Sequence, residues 1–213
     1  MTGDPEFDRS YYEENYGSYA RQNPPRKMRF YRELLHAHAR RGGRILDLGC
    51  AFGTFLGSLG PEWERFGSDV SAYAIESAKR TVPGVVFRVA PAADPGFDGP
   101  FDAITAFDVI EHAPDLEAVA RAVKSRLAPR GRFVFVVPVY DGPTGVVVRM
   151  LDRDPTHVHK TSRRFWLDWA SSHFGLLAWE GVVRYLLPGG YYVHVPTRSL
   201  RSVAPAIAVV AGT

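Results

Sequence analysis

Asp47, Gly49, Ala51 and Gly53 stand together in "ILDLGCAFGTFL", and Asp69 follows twenty places after Gly49. An apolar run that ends in Asp-x-Gly reads as a strand entering a turn. Glycine accepts left-handed backbone angles there, and small atoms at 51 and 53 let a ligand lie against the main chain. A helix starting at such a turn offers N–H groups that have no partner within the helix. An acid closing the next strand can accept both hydroxyl hydrogens of a ribose. A dinucleotide fingerprint would place glycine at 49, 51 and 54, whereas the chain has Gly49, Ala51 and Thr54. A ribose-binding acid beside a glycine turn, with no phosphate grip, suggests a nucleoside.

A second set of residues could move a proton. His112 lies in "VIEH", and His157 and His159 lie in "DPTHVHK". Histidine titrates near neutral pH and suits a general base. An extended segment would turn His157 and His159 to the same side. His112 is read chiefly as ordering its loop, with catalysis as the second reading. Glu111 and His112 find no further metal-ligand pattern along the chain, so no metal is expected.

These residues need a scaffold, and the chain alternates strand-like and helical runs. The strand-like runs are 44–48, 65–69, 85–89, 101–107 and 132–137. The helical runs are 53–59, 71–80 and 115–127, with Ser71 as an N-cap and Pro114 in a first turn. Such alternation implies right-handed crossovers and a parallel sheet covered on both faces. "KMRFYRELLHAHARR" reads as a preceding helix stopped by Gly42 and Gly43. Tyr140 to Lys160 reads as a long polar connection, Ser162 to Gly175 as a helix, and 176–187 and 204–210 as two last strands. An aromatic loop, "PGGYYVHVPTRSLRSV", joins those strands. The expected organisation is an N-terminal lid over 1–29 and a single domain over 30–213, with a substrate-binding insertion at about 140–175. The opening "MTGDPEF" is left out of the fold reading, because Asp-Pro-Glu-Phe is what a pair of adjacent cloning sites can encode.

Composition narrows the partners. The chain has 213 residues, 46% of them hydrophobic, which is enough for one packed core. A net charge of +3 spread among scattered acids is not a nucleic-acid footprint. No apolar run reaches membrane-spanning length. Cys50 is the single cysteine, which excludes an internal disulfide. A cytoplasmic protein, monomeric or homodimeric, acting on a small molecule is expected, with neither nucleic acid nor membrane as partner.

The pieces "ILDLGCAFGTF", "FGSDVS", "FDAITAFDVIEHAPD" and "LAPRGRFVFVVP", in this order and spacing, resemble the class I S-adenosylmethionine-dependent methyltransferases. The likeness is close over 30–138, and the flanking segments look like those of bacterial small-molecule members. It implies a doubly wound, mostly parallel α/β sheet of seven strands, with the last antiparallel. It implies S-adenosylmethionine as cofactor and S-adenosylhomocysteine as product. Carried over, Asp47, Gly49, Ala51, Phe52 and Gly53 would surround the methionine part. Asp69 would hold the ribose, Val70 the adenine face, and Phe107 would lie under the cofactor. The adenine N6 contact stays open between Ala92 and Asp94. Tyr16 would reach the cofactor from a lid formed by Tyr11, Tyr12, Tyr16 and Tyr19, whose aromatic faces suit a sulfonium.

On the acceptor side, His157 would be the base, with His112 as its competitor, and His159, Tyr12 and Tyr140 would touch substrate. The expected reaction is O-methylation of a sugar, polyketide or similar metabolite, with N- or C-methylation open. A DNA or protein-amide methyltransferase would carry Asn-Pro-Pro-aromatic where this chain has "FDVIEH". The remaining alternative is a cofactor-binding regulator or scaffold without catalysis.

Overall fold

The computed structural model describes residues 19, 23–151, 156–187 and 191–213. Eight strands form one sheet in the order β3-β2-β1-β4-β5-β8-β6-β7. They are β1 Gly43–Leu48, β2 Trp63–Asp69, β3 Val85–Val89, β4 Phe101–Phe107, β5 Leu127–Pro138, β6 Gly175–Leu187, β7 Tyr191–Thr197 and β8 Ala206–Gly212. Among the described residues, the helices are α1 Pro25–His38, α2 Thr54–Gly57, α3 Ala72–Thr81, α4 Leu116–Arg126, α5 Gly142–Leu151 and α6 Arg163–His173. A 3-10 turn spans Ile110–His112. Pairing is parallel from β3 through β5, and β8 runs antiparallel to both β5 and β6.

The alternation of side chains along β5 builds two cores at once. Phe133, Phe135 and Val137 face one side, with Leu46, Leu48, Ile104, Trp166 and Trp169. Val134 and Val136 face the other, with Ile45, Ala103, Tyr31, Leu35 and Ile75. A strand buried on both faces needs this unbroken apolar run. Helix ends are set by local chemistry. Ser71, Asp115 and Ser162 each accept the N–H three residues on, from Ala74, Ala118 and Phe165. Pro114 therefore precedes the cap of α4 and does not sit in its first turn.

Three expectations are corrected. The sheet has eight strands rather than seven, because the aromatic loop contains β7, antiparallel to β6. Tyr191, Tyr192, Val193 and Val195 are strand-forming residues after a glycine pair, which is a hairpin signal. Part of the long connection is helical, as α5, although Val146, Val147 and Val148 favour strand. Helix α2 has only four residues, fewer than the expected 53–59.

The order of strands reverses between β1 and β4, which opens a crevice at their C-terminal ends. Trp166 anchors α6 beneath the loop that reaches this crevice. It is fully buried and packs edge-on against Trp169 and the His159 ring. Trp166→Ala is expected to cost about 3–5 kcal/mol by cavity formation, measured as a lowered urea midpoint with an unchanged slope.

Candidate active site

The half of the crevice expected to hold the donor, the donor half, is built by the turn after β1. Gly49, Ala51 and Gly53 all have positive φ, at 65°, 45° and 69°. Glycine is needed at 49 and 53 for a packing reason as well. A Cβ on Gly49 would collide with the Val109 side chain, and one on Gly53 would lie 2.7 Å from the Phe87 ring. Ala51 holds a left-handed conformation that costs an alanine about 1–2 kcal/mol, and its N–H is fixed by a hydrogen bond to Asp69.

Asp69 is almost fully buried. Its Oδ2 accepts the Ala51 N–H at 2.8 Å and its Oδ1 accepts the Ser71 N–H at 2.9 Å. Desolvation raises its pKa, while the Ser71 and Ala51 N–H groups pull it back down. A carboxylate has about four acceptor sites, so each oxygen keeps capacity for a ligand hydroxyl. Asp47, paired across the sheet with Thr105, accepts the Thr105 hydroxyl at 2.6 Å. Burial pushes Asp47 up to about 7, against the Thr105 hydrogen bond and with help from the nearby Asp69. Phe52 lies within the turn, with Tyr19 edge-on at 4.7 Å and Tyr73 at 5.9 Å. Burial and the charges of Asp69 and Asp47 raise the Tyr19 phenol pKa, and Thr54 hydrogen-bonds its hydroxyl. Tyr19 thus stands over the glycine turn, where a lid would lie. Tyr12 and Tyr16 lie outside the described residues. Val70 is half-buried just after β2.

Phe107 ends β4 and stacks on Tyr31 at 3.9 Å, with Phe55 edge-on at 4.9 Å. Asp108, next in the chain, has φ 59° and pairs with Lys27 Nζ at 3.3 Å. Asp94 pairs with Arg126 on the surface, and Ala92 packs on the core.

The half expected to face the acceptor, the acceptor half, gathers the histidines. The 3-10 turn after β4 carries Glu111, which is buried, and His112. The Thr156 hydroxyl lies 2.8 Å from His112 Nδ1, and the Tyr140 hydroxyl lies 3.1 Å from His157 Nδ1. The two imidazole centroids are 4.5 Å apart. His159 is fixed differently. Its Nε2 donates to the Ala113 carbonyl at 2.8 Å, and its backbone N–H donates to the Glu111 carbonyl at 3.0 Å. His159 therefore pins the loop that carries His157 against the loop that carries His112. Lys27, Asp108, Glu111 and Thr156 were not singled out from the sequence as site residues. Lys27 had a signal, since it occupies the same inward stripe of α1 as Tyr31 and Leu34.

The Asp47 shift gives a sign for stability. Its folded pKa lies above that of an unfolded aspartate, so the native state holds the extra proton between about pH 4 and 7. Stability then falls as pH rises through that window and levels off above it. Asp47→Asn is expected to remove up to about 1.4 kcal/mol per pH unit of that slope, read from urea midpoints at several pH values without ligand.

A family model described as a methyltransferase domain matches residues 19–179. The ubiquinone biosynthesis O-methyltransferase of Xanthomonas axonopodis pv. citri is 32% identical over 106 residues, 43% of this chain and 41% of that one. The Neisseria meningitidis protein of the same name is 29% identical over 104 residues, 45% of this chain and 44% of the relative. Each match spans less than half the length of its relative. Among solved structures, magnesium protoporphyrin IX methyltransferase of Synechocystis, with bound S-adenosylhomocysteine, aligns with a TM-score of 0.61 at 16% identity, covering 87% of this chain and 81% of that one. Geranyl diphosphate C-methyltransferase of Streptomyces coelicolor aligns with a TM-score of 0.60 at 16% identity, over 92% and 87%.

Proposed function

From the premise that the chain belongs to the methyltransferase-domain family, with S-adenosylmethionine as its methyl donor, we propose O-methylation of a small-molecule hydroxyl. When bound, the donor supplies an electrophilic methyl: the acceptor oxygen forms the new O–C bond, the C–S bond breaks with its electron pair on sulfur, and one proton is released. The residues present fit such a donor. Asp69 has acceptor capacity for a ribose diol, and Asp47 offers a carboxylate to the cationic amino acid arm. The turn at Gly49, Ala51 and Gly53 lies between them, and Phe52 and Tyr19 provide aromatic walls.

The observation that carries the acceptor reading is the convergence of Glu111, His112 and His157 at the C-terminal end of β4, beside the donor half. An apolar wall would suit a carbon acceptor, whereas this cluster can orient a hydroxyl and receive its proton. His157 and His112 fill the catalytic roles, with Tyr140 and Thr156 holding their rings. His159 supports the loop. The names of the curated relatives favour oxygen over nitrogen or carbon, and a sugar or polyketide metabolite is the proposed acceptor class.

Radiolabelled methyl transfer to a panel of hydroxylated metabolites tests the reading. Label recovered only on amines, or on no acceptor at all, would overturn it. With the true acceptor, His157→Ala is expected to lower turnover by about 10²–10⁴ while S-adenosylhomocysteine affinity stays within threefold. Asp69→Ala removes charge-assisted bonds worth roughly 1.5–3 kcal/mol each. It should weaken cofactor binding at least tenfold and also lower stability, because two buried N–H groups lose their acceptor. Calorimetric titration and a urea melt read the two effects separately.

A further inference from the structure

Along the sequence, Glu111 and His112 lack a third metal ligand. The fold supplies one. His157 comes in from the segment after β5, and one ligand atom from each of Glu111, His112 and His157 falls within 4.8 Å of the others. We propose that these three residues form a binding site for a divalent transition ion of the zinc class. Two imidazoles and one carboxylate are a recurring ligand set for such ions, and they leave coordination positions open. Calcium and magnesium prefer all-oxygen shells, so they fit this donor set poorly.

The surroundings have the form that metal-binding histidines require. A ligating imidazole usually donates its other N–H to an oxygen, which fixes both tautomer and ring orientation. Here Nδ1 of His112 meets the Thr156 hydroxyl at 2.8 Å, and Nδ1 of His157 meets the Tyr140 hydroxyl at 3.1 Å. With Nδ1–H donating to those oxygens, Nε2 is the nitrogen each ring would present to an ion. Glu111 is fully buried, and a buried carboxylate is favoured by a cation beside it. The loop is braced close by, through His159 to the Ala113 carbonyl and the Glu111 carbonyl. Tetrahedral bonds of about 2.1 Å set ligand atoms about 3.4 Å apart, so loading draws the three side chains inward from their present spacing.

The chemistry of this site rests on the proposed hydroxyl acceptor. An acceptor hydroxyl at an open position of the ion becomes more acidic. With both imidazoles engaged as ligands, its proton would pass to solvent and not to a histidine, its oxygen would form the new O–C bond, and the C–S bond would break with its electron pair on sulfur. His157 is then a ligand, and its loss removes the ion.

The test uses the full chain, untagged and stripped with a chelator. Titration with Co²⁺, followed by its visible absorption, and calorimetry with Zn²⁺ should each show one ion per chain. Affinity should fall at least tenfold in Glu111→Gln and in His157→Ala, and Tyr140→Phe should weaken binding with the ligands intact. Circular dichroism and S-adenosylhomocysteine binding confirm that each variant is folded. Absence of saturable one-to-one binding, or wild-type affinity in all three variants, would overturn the site. Methyl transfer to hydroxyl acceptors in the presence of chelator is scored separately. If it persists without any ion binding, the metal site fails and the O-methylation reading stands. If the ion binds one-to-one and only amines are methylated, the site stands and the acceptor reading fails.

Discussion

Two hydrogen bonds to a single buried carboxylate hold the donor half together. Asp69 receives the N–H of Ala51 from the turn after β1 and the N–H of Ser71 from the cap of α3. The first bond offsets the left-handed strain at Ala51. The second sets the residue whose hydroxyl then caps α3. Strand end, turn and helix start are thus fixed by one side chain, at the point where the parallel strands deliver their C-terminal ends. Burial alone would favour the neutral acid, and the two N–H groups oppose that. The same groups that shape the turn keep the carboxylate suited to accepting hydroxyls.

The acceptor half is organised by a different principle. Its side chains come from two loops that are distant in sequence, and several contacts tie them. Thr156 meets His112, Tyr140 meets His157, and His159 meets two carbonyls of the facing loop. Beneath them Trp166, Trp169, Phe133 and Phe135 form an aromatic layer. A layer of large rings gives little when pushed, so the polar contacts above it rest on a firm floor.

Local signals account for what the sequence revealed. The alternation of apolar strands and capped helices, and the register of Asp47, the glycines and Asp69, are short-range patterns, and they led directly to the donor half. The hairpin of β6 and β7 was signalled by the glycine pair and the residues after it, yet its aromatic character read as loop. Helix α5 runs against its own β-branched residues, and Val146 and Val147 are exposed on it, so neither propensity nor burial along this stretch signalled a helix. The contacts of Thr156 and Lys27 and the approach of Glu111 depend on pairings across 44, 81 and 46 positions, from His112, Asp108 and His157 respectively. No window along the chain contains such pairs. The Gly49 pattern was visible, but half of its reason was not: Val109, sixty residues later, fills the space that a Cβ would take.

That last contact has a consequence for redesign. Val109 sits between Phe107 and the 3-10 turn, so the stretch carrying Glu111 and His112 is keyed into the donor turn like a tooth in a rack. Exchanging the segment after β5 for one from another enzyme would remove the Thr156 and His159 contacts that brace the His112 loop, while leaving the contact of Val109 with Gly49 untouched. Exchanging the stretch after β4 would disengage it, and the donor turn would shift along with the acceptor wall. Grafts that aim to reshape the histidine cluster therefore belong in the first segment, where the far wall can be rewritten without displacing the glycine turn.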